Sequence, residues 1–196
     1  MPDIHYAAIA GVTGTYLAAI GTLTAVVVAL KQSHDAQALQ KEREAKQRAK
    51  DERVQAERVS AWHAGTVDGD YRNHRVELIN HSYEPVFNVV VFTVFIQGAA
   101  PRTSESMANH LGQVGGPYQG PNFMRAVLSV LAPGQHHVNI VADTGIHNAR
   151  IGIEISFTDT RGAHWVRRAI GEVEPLSANP IDYYDVERPV TYVMPE

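Results

Sequence analysis

His136 and His137, adjacent in a chain that holds ten histidines, are the residues whose type most invites a metal ion. In an extended strand, neighbouring side chains point to opposite faces, so the two cannot readily share one ion. The absence of cysteine removes thiolate ligands and disulfide staples together. No His-Glu-x-x-His, Gly-x-Ser-x-Gly or dinucleotide fingerprint occurs. Gly115-Gly116-Pro117 lacks the strand-to-helix setting and the lysine that a phosphate loop requires. The expectation is therefore a chain with no metal and no other cofactor, its histidines exposed or hydrogen-bonded. Asn80-His81-Ser82 fits the glycosylation pattern, but reads better as a turn if its domain is cytoplasmic.

Asp143-Thr144-Gly145, preceded by Ile140-Val141-Ala142, is the one sharp candidate for catalysis. It is similar to the active-site loop of retroviral-type aspartic proteases. That resemblance implies two such aspartates, one per subunit, sharing a proton. It is confined to a short tripeptide: Ile146 follows where a small residue is expected, and no flap segment is visible. Asp-Thr-Gly is also ordinary turn chemistry. The expectation is a non-enzymatic chain, with an aspartic-type hydrolase at Asp143 as the unfavoured alternative.

The elements that would position any such group are unequal in character. Tyr6 to Leu30 is a run of 25 residues without a charged side chain. A bilayer core roughly 30 Å thick needs about 20 apolar residues in a helix. This run would extend about 37 Å at about 1.5 Å per residue, enough to span with tilt. A cleaved signal peptide fits less well, because no Lys or Arg precedes the run and it is too long for a signal core. Residues 1–30 are read as a tail and transmembrane helix. The first lysine, Lys31, and the basic residues behind it place the N-terminus outside and the bulk of the chain in the cytoplasm, at the plasma (inner) membrane. Ala7, Gly11, Gly14, Ala18, Gly21 and Ala25 alternate steps of four and three, which lines small residues along one helix face. In lipid such a stripe lets helices approach closely, favouring self-association or a partner helix.

Residues 31–64 are read as a polar helical stalk. Lys31 to Trp62 holds no Pro or Gly, is dominated by strong helix formers, and contains all four lysines (Lys31, Lys41, Lys46 and Lys50). Glu42 with Lys46 and Glu44 with Arg48 are favourable four-residue pairs. The best coiled-coil seam is Ala38, Ala45, Ala49, Ala56 and Val59, interrupted by Glu42 and Glu52. Both a solvated stalk and a weak Ala-seamed coiled coil fit. Beyond Arg58 nine arginines face fourteen acids. That excess of negative charge excludes the basic stripe that nucleic acid requires.

Residues 65–175 are read as an all-β immunoglobulin-like sandwich. Ile151, Ile153, Ile155 and Phe157 alternate with Arg150, Gly152, Glu154 and Ser156, a half-buried strand. Asp159-Thr160-Arg161-Gly162 is a turn into a returning strand from Ala163 to Ala169. Val86 to Ile96 is apolar on both parities, as a central strand covered on both faces would be. Val76 to Ile79 and Val138 to Val141 are further strands, and Ala132-Pro133-Gly134-Gln135 fits a type II turn. Several short strands with turn signals and no helical pattern between them favour a sandwich. From Gly98 to Met124 the pattern lapses into a long loop, whose Tyr118, Phe123 and Met124 either form a partner-binding surface or tuck onto the sandwich. Trp62 and Trp165 are expected to be core or helix-docking residues. Residues 176–196 read as a tail, with an edge strand near Val190 to Val193.

The run Gln55-Ala56-Glu57-Arg58-Val59-Ser60-Ala61-Trp62 is followed by Asn80-His81-Ser82 and Pro85-Val86-Phe87-Asn88-Val89. Leu131-Ala132-Pro133-Gly134 and Phe157 to Trp165 complete a set that resembles a group of uncharacterised bacterial single-pass membrane proteins. The resemblance covers about two-thirds of the chain and implies a span, a charged helix and a small sandwich, without an activity. The expected function is a membrane-tethered, non-enzymatic protein-interaction or scaffold module. Its partners would be the lipid bilayer and a protein, or a second copy through the span, and not nucleic acid. An envelope-facing structural or adhesion module of reversed topology is the alternative.

Overall fold

The computed structural model describes residues 31–32, 37, 40–43, 53–97, 101–113, 122–142 and 150–196. The expected span with its small-residue stripe, most of the stalk, Tyr118 and Asp143-Thr144-Gly145 lie outside the described residues. Among the described residues no helix is long and apolar enough to cross a membrane. The chain divides into two compact units, Met1–Lys50 and Asp51–Glu196. In the first, residues 31–32, 37 and 40–43 are helical and exposed, as their strong helix formers require.

The described part of the second unit is mostly β-sheet. Its strands are β1 (Val59–Val67), β2 (Asp70–Asn80), β3 (Val86–Phe95), β4 (Arg125–Leu131), β5 (Gly134–Val141), β6 (Ile151–Thr158), β7 (His164–Arg167) and β8 (Val173–Pro175). They form an antiparallel three-stranded sheet, β1-β2-β5, and an antiparallel five-stranded sheet, β4-β3-β6-β7-β8. Helices α1 (Ser104–Gln113) and α2 (Pro180–Tyr183) and the helical residues 53–57 accompany the sheets.

Two apolar cores lie on opposite faces of the larger sheet. The first joins the sheets, with Val76, Leu78 and Ile140 on one side and Val89, Leu128, Ile155 and Phe157 on the other. The second joins Val90, Phe92 and Val94 to Met107 and Leu111 of α1 and to Ile181, Tyr184 and Val186 around α2. This is the physical reason that β3 is apolar on both parities. A bulge at Asn88, where φ is +50°, resets its alternation so that Val86, Val89 and Val91 share the inner face.

The expected hairpin forms as β6 and β7. Its turn is held by the Asp159 carboxylate, which accepts from the backbone N–H of Arg161 and Ala163 and from Trp165 Nε1 at 2.9–3.0 Å. Trp165 is thereby a core residue. Asn80 is a buried turn organiser: its Nδ2 donates to the carbonyls of Glu84 and Leu131, and its Oδ1 accepts from Ser82. The turn at Pro133 carries the chain from the edge of one sheet to the edge of the other, and Gly134 adopts φ +125° there.

Five expectations need correction. Helix gives way to strand at Val59 rather than at residue 64, so alternation points Trp62 to the outer face of the small sheet, where it is 42% exposed. The stretch read as a loop from Gly98 contains α1, which buries Met107 and Leu111 at helical spacing. Residues 176–196 belong to the second core instead of forming a tail. No strand forms near Val190; the Val193 N–H instead donates singly to the Val127 carbonyl. Finally, the polar face of β6 is covered by α1 and α2 and is buried along with its apolar face.

The helical residues 53–57 dock against the sandwich. Arg167 donates to the carbonyls of Ala56, Glu57 and Val59, satisfying acceptors that a helix end leaves open. Gln55 reaches Ser82, Pro85 and Thr160. The run from Gln55 to Trp62 is therefore a joint between helix and strand.

Ending the chain after Pro175 strips Ile181, Tyr184 and Val186 from the larger sheet and is expected to abolish cooperative thermal unfolding, read by Trp165 fluorescence and circular dichroism. Phe157→Ala, between the sheets, is expected to cost about 3–5 kcal/mol in denaturant titration.

Candidate functional site

The polar positions of β6, which look solvent-facing in the sequence, assemble the most structured polar cluster on the helix side of the larger sheet. Glu154, in the strand between β3 and β7, is 2% exposed. One of its oxygens accepts from the backbone N–H of Ser104 at 2.8 Å and from the Ser104 hydroxyl. The Arg168 guanidinium lies 3.1 Å from the same carboxylate. Arg168 also pairs in bidentate fashion with Glu105 of α1, at 2.8 and 2.9 Å, and with Glu174 of β8 at 2.8 Å. Burial works against the Arg168 charge, but hydrogen bonds to Glu105 and Glu174 and the Glu154 charge outweigh it and raise its pKa. Burial likewise opposes the Glu105 charge, and the Arg168 hydrogen bond overcomes it and holds the carboxyl below its usual value. Two residues along β6, Ser156 shares a 2.8 Å hydrogen bond with the Tyr184 hydroxyl. Burial pushes the Tyr184 phenol up to about 12 despite that bond and one to Ser104. Tyr184 stands edge-on to Phe92 at 4.8 Å.

Beside this cluster lies a groove of about 520 Å³ between α1 and the segment that follows α2. Asn109, Gln113, Arg125, Tyr183, Asp185 and Glu187 contribute to its lining. Arg125 contrasts with Arg168. Burial lowers its pKa and the nearby Glu187 charge opposes that, yet the guanidinium makes no hydrogen bond or ion pair among the described residues. The two serines of the cluster are committed, one to Glu154 and one to Tyr184. The arrangement can hold charge and recognise a polar ligand, and it presents no activated nucleophile.

A second polar pair lies inside the smaller sheet. His63 Nε2 and His74 Nδ1 are 3.1 Å apart, and His74 is 3% exposed with its Nε2 lacking a hydrogen-bond partner. Burial lowers the His74 pKa, the His63 charge adds to this, and Asp70 opposes it. Among the described residues no group of three His, Asp or Glu could hold a metal ion. His136 and His137 do point apart: His136 reaches the Ala132 carbonyl at 3.2 Å and His137 faces Glu196 at 3.4 Å.

Of the loop residues expected at a partner surface, Met124 is 5% exposed in the second core and Phe123 packs against that core. The backbone of Phe123 bridges to β5 at Val141, which draws both residues inward. Tyr118, the third of these residues, lies outside the described residues. Sequence reasoning missed Glu154, Arg168 and Glu105. The available signal was a lone glutamate amid isoleucines, together with an Arg-Arg pair, which alternation sends to opposite faces. No family model matches the chain, and comparison with curated proteins and with solved structures finds no match.

Arg168→Met leaves the buried Glu154 charge without its cation. It is expected to cost about 3–5 kcal/mol at pH 7 in denaturant titration. His74 gives a pH dependence of definite sign. Because its folded pKa lies below the ordinary 6.5, the unfolded chain binds the proton first. Stability is then full above that value and falls as pH drops below it. His74→Phe should flatten this part of a stability-against-pH curve.

Proposed function

We propose that this chain is a membrane-tethered, non-enzymatic interaction module whose anchor is a transmembrane helix from Tyr6 to Leu30 and whose binding domain is an immunoglobulin-like sandwich. The observation that carries the tether is the uncharged run from Tyr6 to Leu30, followed at once by the basic stretch that holds every lysine. That asymmetry favours an outer N-terminus and a cytoplasmic domain.

What supports the immunoglobulin-like reading is the order of the strands. The first, second and fifth share one sheet, and the third, sixth and seventh share the other. Constant-type immunoglobulin domains divide their strands in this way, except that their fourth strand joins the first sheet instead of the second. The eighth strand is an addition.

What supports an interaction role is the unequal covering of the two sheets. The larger sheet is covered on both faces, whereas no described element covers the outer face of β1-β2-β5. On that face Trp62 pairs with Glu77, which in turn pairs with His137. A large exposed aromatic amid polar groups is a common anchor of protein interfaces.

Crosslinking pull-downs from membranes test this reading with the full chain, a chain lacking Pro2 to Leu30, and Trp62→Ala. The expected result is membrane retention and a specific partner for the full chain, with both lost in the truncation. Trp62→Ala should weaken capture by about tenfold or more without altering thermal unfolding. Protease access to the C-terminus in sealed vesicles distinguishes a cytoplasmic domain from an envelope-facing one. A full chain that washes off membranes in alkaline carbonate would refute the tether.

A further inference from the structure

The groove between α1 and the segment after α2 is lined by two unlike charges that do not pair with each other. Arg125 enters at the start of β4, and Glu187 enters from the chain beyond α2. The Glu187 charge opposes the effect of burial on Arg125 without overcoming it. They nevertheless form neither an ion pair within 4 Å nor a hydrogen bond, whereas Arg168 nearby has three carboxylates within 3.1 Å. A half-buried guanidinium with no acceptor among the described residues leaves its donors free to meet a ligand in the groove. A buried pair can be completed either by closure or by a ligand that carries both complementary charges.

We propose that the groove binds a small zwitterion, an α-amino acid, with its carboxylate on Arg125 and its ammonium on Glu187. The fork of a guanidinium matches a carboxylate in bidentate fashion. An α-amino acid carries its carboxylate and ammonium on one carbon, so it can engage two unlike charges that line one groove and do not pair with each other. Asp185 adds a second carboxylate to the lining, and the Asn109 and Gln113 amides line the same groove. Ala108, Leu111 and the Tyr183 ring supply apolar wall for the ligand's side chain. The volume of about 520 Å³ lies within the range of small-molecule sites. The site is separate from the Trp62 face, since it lies on the helix side of the other sheet.

Thermal unfolding and calorimetry of the full chain in detergent test this, using each of the common α-amino acids up to about 10 mM. Their amides and N-acetyl derivatives serve as controls, each lacking one of the two charges. At least one free amino acid is expected to raise the unfolding temperature and to bind with saturation. Both derivatives of that amino acid should bind about tenfold or more weakly. Arg125→Met should remove the preference for the free carboxylate, and Glu187→Gln the preference for the free ammonium. Both variants should unfold cooperatively, which circular dichroism checks. If either fails to fold, the derivative comparison on the unaltered chain still decides. The proposal is overturned if no free amino acid binds, if the derivatives bind equally well, or if a folded Arg125→Met keeps full carboxylate preference. None of these readouts depends on the membrane tether, so their failure would leave that reading standing.

Discussion

A carboxylate buried in the middle of a covered sheet is costly by several kcal/mol unless it is paired and its remaining oxygens are hydrogen-bonded. Glu154 is such a group, and the outer half of this domain is arranged around satisfying it. Arg168 supplies the cation and Ser104 supplies two donors. Because the same guanidinium also grips Glu105 and Glu174, it links β6 at the centre of the sheet, β8 at its edge and α1 above it. The position of α1 follows from this electrostatic demand as much as from the burial of Met107 and Leu111. The ion cluster favours one register of helix on sheet, which apolar packing alone specifies less sharply.

Arg167 and Arg168 show how one dipeptide can serve both faces of a sheet. Successive side chains on an extended segment point opposite ways. Arg167 turns to the inter-sheet side and caps the helical residues that lead into β1. Arg168 turns outward to the glutamate cluster. The inner contact fixes the direction in which the chain enters the sandwich, and the outer one holds the layer that encloses the groove. The groove beside that layer is lined by Arg125, which has no hydrogen-bond or ion-pair partner among the described residues.

Much of the strand framework is legible in the residues because its signals are local. The β6–β7 hairpin needs only alternation and the Asp159 turn, and β3 announces its two covered faces by being apolar on both parities. The cluster was harder to read for a physical reason. Period-two polarity says which residues share a face, and it does not say whether that face meets water or another layer. Glu154 and Ser156 look like solvent-facing residues until α1 and α2 cover them. Trp62 is the converse: a large aromatic that reads as core, placed outward because strand geometry begins at Val59.

By itself the sequence determines a long uncharged segment, a lysine-bearing stretch of strong helix formers, a β-rich domain with its main hairpin and central strand, and the lack of any cysteine-based site. These follow from composition and from periods of two or three to four residues, which neighbouring side chains decide among themselves. Only the tertiary structure decides the division into a three- and a five-stranded sheet, the recruitment of residues 176–196 into a second core, and the pairing of Arg168 with Glu105, Glu154 and Glu174. It alone also brings Arg125 and Glu187 to the lining of one groove. Each of those features joins residues far apart in the chain, and the free energy that selects it exists only once distant elements have removed water from one another.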